Sequence, residues 1–253
     1  MTNLALSLTI GFFIGVVAGY LGSLMLSRKM SLAAGPLGHL TLPGVALALL
    51  NGFDVSLGAF PFVILGALLI WLLEMRTKLP MEALTAVVFT FGVSVALLFL
   101  PLDKAEAALM GDISKVGLYD TLIALPLLAI IFFVTKAIYP KVFLINISED
   151  LAKVEGIDVK KYNLIYLFLI AAIVALGTKL VGGLMTAAIV AIPSASARNL
   201  SKNLSNYRFL AALFGGTSMI AGIALSVFSN LPVGPLIILS NVAVFFLSVL
   251  MKR

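Results

Sequence analysis

The sequence predicts an all-α fold, a polytopic transmembrane helical bundle of about eight to nine spans, N-terminus outside and C-terminus inside, with broken helices near the midplane. Three observations predict it. Of 253 residues, 62% are hydrophobic and only 11% charged, with a mean hydropathy of +1.17, whereas a soluble domain carries roughly 25% charge. The apolar residues gather into runs of about 20, long enough to cross hydrocarbon. The lysines and arginines fall almost entirely in alternate loops. The net charge of +6 is therefore read as topological; no basic helix face or aromatic-basic strip is present to bind nucleic acid. The absence of cysteine excludes disulfides, thiolate metal sites and thiol nucleophiles.

Taken in order, the apolar segments lie at about 5–27, 33–50, 55–73, 82–101, 118–139, 162–178, 181–196, 207–228 and 233–250. The first lacks a basic n-region and outruns the 7–15 apolar residues of a signal peptide, so it is expected to be a permanent helix. Glycine and proline interrupt 33–50 and 181–196, which makes half-helices or re-entrant pieces of them. With nine spans and the N-terminus outside, the positive residues outside are Lys104, Lys115 and Lys179 alone, and every other one of the 17 faces the cytoplasm. That is the bias of the positive-inside rule. Asp54, Asp103, Glu106, Asp112 and Asp120 give the outer face a mild attraction for cations. No hydrophilic stretch is long enough for a soluble domain, so residues 1–253 are expected to form one membrane domain, multi-pass in the cell membrane.

Gly11, Gly15 and Gly19 are four residues apart and share one helix face, with Gly22 following. Without side chains there, a second helix can approach backbone to backbone, within the chain or in a self-associating pair. The one histidine, His39, lies near mid-bilayer if its segment spans, and an ionisable group at that depth is a functional candidate. Pro43 has no N–H for the carbonyl of His39 four residues earlier. In a helix, His39 then offers an imidazole and a released carbonyl oxygen, as at the broken helices where transporters hold ions. The competing reading is a neutral histidine bonded to a neighbouring helix, with Pro43 as a plain kink.

Between two spans, Ser148 is a good N-cap, Glu149 and Asp150 suit the first turn, and Gly156 suits a left-handed stop after Glu155. This short helix, about 148–159, carries Leu151 and Val154 on one face, an apolar ridge fit for a partner's groove or for the headgroup layer. Further on, Gly182, Gly183 and Pro193 describe a closely packed, kinkable span. Met185 in the same segment is a soft ligand or core filler. There is no G-x-x-x-x-G-K-[ST], H-E-x-x-H or G-x-S-x-G. The chain is thus expected not to be an enzyme, and any active transport draws its energy from elsewhere.

Three stretches together resemble the membrane permease subunit of metal-transporting ATP-binding-cassette importers of the zinc, manganese and iron class. They are Gly19-Tyr20-Leu21-Gly22 through Arg28-Lys29-Met30-Ser31 to His39 and Pro43-Gly44; Asp150-Leu151-Ala152 through Gly156-Ile157; and Lys179 through Gly182 and Met185 to Ile192-Pro193. The resemblance implies inward movement of a divalent metal ion by alternating access, with no permanently bound cofactor. It also implies two cytoplasmic ATPase subunits, an extracytoplasmic solute-binding protein and a second permease copy. Under it, the helix at Ser148 couples to the ATPase, and His39 matches a histidine lining the metal pathway. Many members of that family carry aspartate four residues before this histidine, where this chain has Gly35. The missing carboxylate leaves His39 with carbonyls, water or a partner's histidine as co-ligands, or points to another cargo such as a metal chelate. A non-transporting membrane scaffold is the alternative of a different class.

Overall fold

A computed structural model of the chain describes residues 2–27, 38–77, 79, 81–99, 117–182 and 186–252. Among the described residues run ten α-helices and no strand: α1 (Thr2–Ser27), α2 (Leu42–Asn51), α3 (Val55–Thr77), α4 (Met81–Phe99), α5 (Leu118–Ile147), α6 (Glu149–Val154), α7 (Val159–Val181), α8 (Thr186–Leu200), α9 (Leu204–Ser229) and α10 (Val233–Leu250). Nine of them answer to the nine apolar segments, and α6 is the short loop helix. Six (α1, α3, α5, α7, α9 and α10) are each long and apolar enough to cross a bilayer unaided. The shorter apolar helices are α2 and the Ala83–Leu98 part of α4, and α8 has 15 residues. The chain is a multi-pass membrane protein.

Several helix boundaries differ from the sequence expectation, those of α5 and α7 among them. Helix α5 passes through Pro140 and reaches Ile147 rather than stopping near residue 139. A proline costs one backbone hydrogen bond, and here Val142 and Ile145 remain buried beyond it while Asn146 Nδ2 donates to Leu24 O at 3.2 Å. Helix α7 starts three residues early because Asp158 caps it, accepting from the Lys161 N–H at 3.1 Å. It ends late, at Gly182, whose φ of +86° and ψ of 153° lie in territory reserved for glycine.

Helix α1 runs through the middle of the bundle, against α9, α8, α5 and α7. Its three spaced glycines meet α9 running antiparallel: Gly11 faces Ile223, Gly15 faces Gly215, and Gly19 faces Ala211. A Cβ at Gly15 or Gly19 would run into a backbone carbonyl of α9, so the helices touch main chain to main chain. Intramolecular packing is thus the use to which this repeat is put. Gly22 turns to a different neighbour, the Val190 carbonyl of α8, where Ser194 Oγ also donates to Gly19 O at 3.2 Å. A second group, α2, α3 and α4, leans on the rest through α3 against α7.

Two buried threonine hydroxyls bond back along their own helices, Thr135 to Ile131 O at 2.6 Å and Thr178 to Val174 O at 2.8 Å, and so reach the interior with their donors satisfied. At one end of the bundle Trp71 Nε1 donates to Lys160 O at 3.1 Å, and Asn199 Nδ2 to Ser248 Oγ at 3.0 Å. The C-terminal ends of α1, α3, α5, α8 and α10 and the starts of α7 and α9 therefore share one side. Arg76, Lys141, Lys153, Lys160, Lys161, Arg198, Lys202 and Lys252 lie in or next to those ends. It is the end that the positive-inside rule assigns to the cytoplasm, and below it is called the inner end.

Candidate functional site

The segment around His39 is discontinuous where the sequence pattern predicts a break. Gly38 and His39 are helical, Leu40 and Thr41 form a turn, and α2 begins at Leu42. The turn is closed by the Gly38 carbonyl, which accepts from Thr41 N–H at 3.3 Å and from Thr41 Oγ1 at 2.6 Å. This corrects one detail of the sequence reading. Pro43 is not an internal kink of a helix carrying His39; it occupies the first turn of α2, where a missing N–H costs nothing. The interruption at His39 comes from the Leu40–Thr41 turn.

The imidazole is half-buried and packs on Phe89 of α4, ring centroids 4.9 Å apart and tilted by 45°. The next residue, Leu40, drops its side chain over Gly66 of α3 and Gly92 of α4; a Cβ on either glycine would strike it. Pro43 and Leu40 then line a cavity of about 200 Å³ between α2, α3 and α4, walled by Phe62, Leu65, Phe91 and Val95. Gly44 and Gly58 seal the α2–α3 side, each backbone against the other's carbonyl. The lining of that cavity includes Leu40, the residue after His39, and not the histidine itself. Among the described residues no group of three or more His, Cys, Asp or Glu side chains could hold a metal ion. Gly35, Gly183 and Met185 lie outside the described residues.

The inner-end helix forms as its sequence dictates. Ser148 Oγ accepts from the Leu151 N–H at 3.3 Å, Glu149 and Asp150 occupy the first turn, Lys153 pairs with Asp150 at 3.3 Å, and Glu155 caps the end. Gly156 follows at φ +73°, the left-handed stop. Ala152 is fully buried and anchors α6 to the bundle, while Leu151 and Val154 are 55% and 85% exposed. Two apolar side chains thus project beyond the membrane helices, largely uncovered among the described residues. Pro193 is buried inside α8, one residue before Ser194.

Over residues 1–252 the chain matches the model of the ABC 3 transport family. The chain belongs to that family. Among its relatives is the high-affinity zinc uptake system membrane protein ZnuB of Buchnera aphidicola subsp. Baizongia pistaciae, 28% identical over 249 residues, with 96% of this chain and 95% of the relative covered. The manganese transport system membrane protein MntC of Listeria monocytogenes is 27% identical over 242 residues, covering 94% and 86%. A chain of the solved structure of PsaBC from Streptococcus pneumoniae in complex with Fab superposes with a TM-score of 0.84 at 25% identity, over 98% of this chain and 91% of that one.

Sequence reasoning found His39, the helix at Ser148 and the glycine repeat, but missed the residues that shape the space beside His39. Phe89, Gly66 and Gly92 sit on other helices, and the signal available was weak: a glycine in the middle of each of two apolar spans, which marks close approach without naming what approaches.

Proposed function

We propose that the chain is the permease subunit of an ATP-binding-cassette importer that passes a divalent metal ion, zinc or manganese, into the cell by alternating access. In this reading two copies pair around the path, two ATPase subunits dock at the inner end, and an external binding protein delivers the ion. The observation that carries it is the position of His39: half-buried at a break between helical segments and next in the chain to Leu40, which lines a cavity, in a chain whose relatives are named for zinc uptake and manganese transport. A neutral imidazole is a good ligand for either ion, and one ligand per chain suits transit, since a site that binds tightly would not let go. Leu151 and Val154 on α6 supply the apolar contact for the ATPase, with Ser148, Glu149, Asp150, Glu155 and Gly156 fixing the helix that presents them.

The test is uptake of radioactive zinc and manganese by cells carrying the ATPase and binding protein, with wild-type or His39→Ala permease at equal membrane level. Loss of the ligand is expected to lower uptake of the transported ion at least about tenfold. Uptake at the wild-type rate would remove His39 from the path and with it the metal reading of this site.

A further inference from the structure

A groove of about 470 Å³ opens between α1, α5 and α9, and none of its lining residues belongs to the histidine segment. Its walls are Phe12 and Val16 of α1, Phe132 of α5, and Phe209 and Leu213 of α9. Phe209 is 65% exposed, as a residue facing lipid is. At the inner end of the groove the lining changes to Lys136, Arg208 and Ser205. No carboxylate lines it, and neither cation has an acidic partner among the described residues. Arg208 is held in place, its guanidinium lying 4.7 Å over the ring of Tyr139, whose hydroxyl is hydrogen-bonded to Ser23 at 2.9 Å.

The depth of these cations fits a headgroup. Lys136 is 18 residues from Leu118, the outer start of α5, or about 27 Å along the helix, close to the ~30 Å thickness of hydrocarbon. Arg208 is in the second turn of α9 from its inner end. An apolar trough that ends in two cations at the inner boundary of the bilayer complements one kind of molecule. We propose that this groove binds an anionic phospholipid of the inner leaflet, its acyl chain along Phe12, Phe132 and Phe209 and its phosphate between Lys136 and Arg208, with Ser205 as a further donor. A zwitterionic lipid brings its own cation to the same place and gains less. The lipid ties α1, α5 and α9 together at the level where α1 and α9 are already in backbone contact.

The full-length protein, purified in detergent, is exposed to phosphatidylglycerol and phosphatidylcholine of identical chains, and bound lipid is counted by native mass spectrometry. Wild type is expected to retain phosphatidylglycerol preferentially. Lys136→Gln with Arg208→Gln should lower that preference by roughly five-fold per cation, about 25-fold for the pair. Lys252→Gln, outside the groove, should leave it unchanged. Equal retention of the two lipids by wild type, or an unchanged preference in the double variant, would overturn the proposal. Because the double variant also removes the Arg208 stacking on Tyr139, a second measurement leaves both cations in place. In a Trp71→Phe background, a tryptophan introduced by Phe209→Trp reports on the groove directly. Chain-brominated phosphatidylglycerol in mixed bilayers should quench it more strongly than brominated phosphatidylcholine at the same fraction, and equal quenching sinks the idea.

Discussion

Truncating the apolar ridge of α6 separates what holds the permease together from what joins it to its motor. Leu151 and Val154 are 55% and 85% exposed, so in the isolated chain Leu151→Ala with Val154→Ala removes side chains that water largely surrounds already. The fold should not notice: α6 is anchored through Ala152 and capped by Ser148, which the substitutions spare. Covered by a partner, the same side chains lose their exposure. At about 0.8 kcal/mol per buried methylene-sized group, scaled by the exposed fractions, the lost carbons are worth roughly 2–3 kcal/mol per docking site. That is about 30- to 150-fold in affinity. The assay is co-purification of the ATPase at graded concentrations, beside thermal unfolding of the permease alone. The expected pattern is a large loss of ATPase binding with a melting temperature within about 2 °C of wild type. Undiminished ATPase binding refutes the docking role; a collapse of the melting temperature refutes the claim that the ridge is idle in the free chain.

Two further substitutions probe the packing. Gly15→Ala places a Cβ into the Gly215 carbonyl, so α1 and α9 must separate by something like 1 Å; a loss of about 1–3 kcal/mol is expected, read as earlier thermal unfolding in micelles. An unshifted transition would mean the seam is loose. Gly182→Ala meets a backbone rather than a neighbour: at φ +86° and ψ 153° alanine is strained by about 1–3 kcal/mol, and a melting temperature equal to wild type would show that the end of α7 simply relaxes.

How far the sequence carried the fold can be judged residue by residue. The nine helices were legible because apolar runs of membrane length have no alternative in lipid: every backbone group must bond within its own segment. The helix α6 was legible because its whole signature is local, from Ser148 to Gly156. The length of α5 was not, since Pro140 reads as a stop when its neighbours are unknown; burial of Val142 and Ile145 against other helices is what carries the helix on. The same distinction divides the candidate site. His39 and the break after it stand out in one dimension. The Phe89 ring and the slot that Gly66 and Gly92 open for Leu40 exist only once α3 and α4 are brought beside the turn.

That slot also bears on how the proposed transport cycle would move the site. Where glycines bring two backbones into contact, as at Gly15 with Gly215 and at Gly44 with Gly58, each helix is notched against the other's carbonyls. Sliding such a pair drives side chains into main chain, so α1 with α9, and α2 with α3, travel as rigid units. Leu40 is held differently. It touches Gly66 and Gly92 through the methyl end of a flexible side chain, lies in a turn rather than a helix, and borders open volume. Motion of α4 relative to α3 is therefore cheapest at Leu40, one residue from His39, and a bulkier side chain wedged into the slot by Gly92→Leu should arrest uptake while leaving ATPase docking at α6 intact. Full uptake by that variant would place the moving seam elsewhere in the bundle.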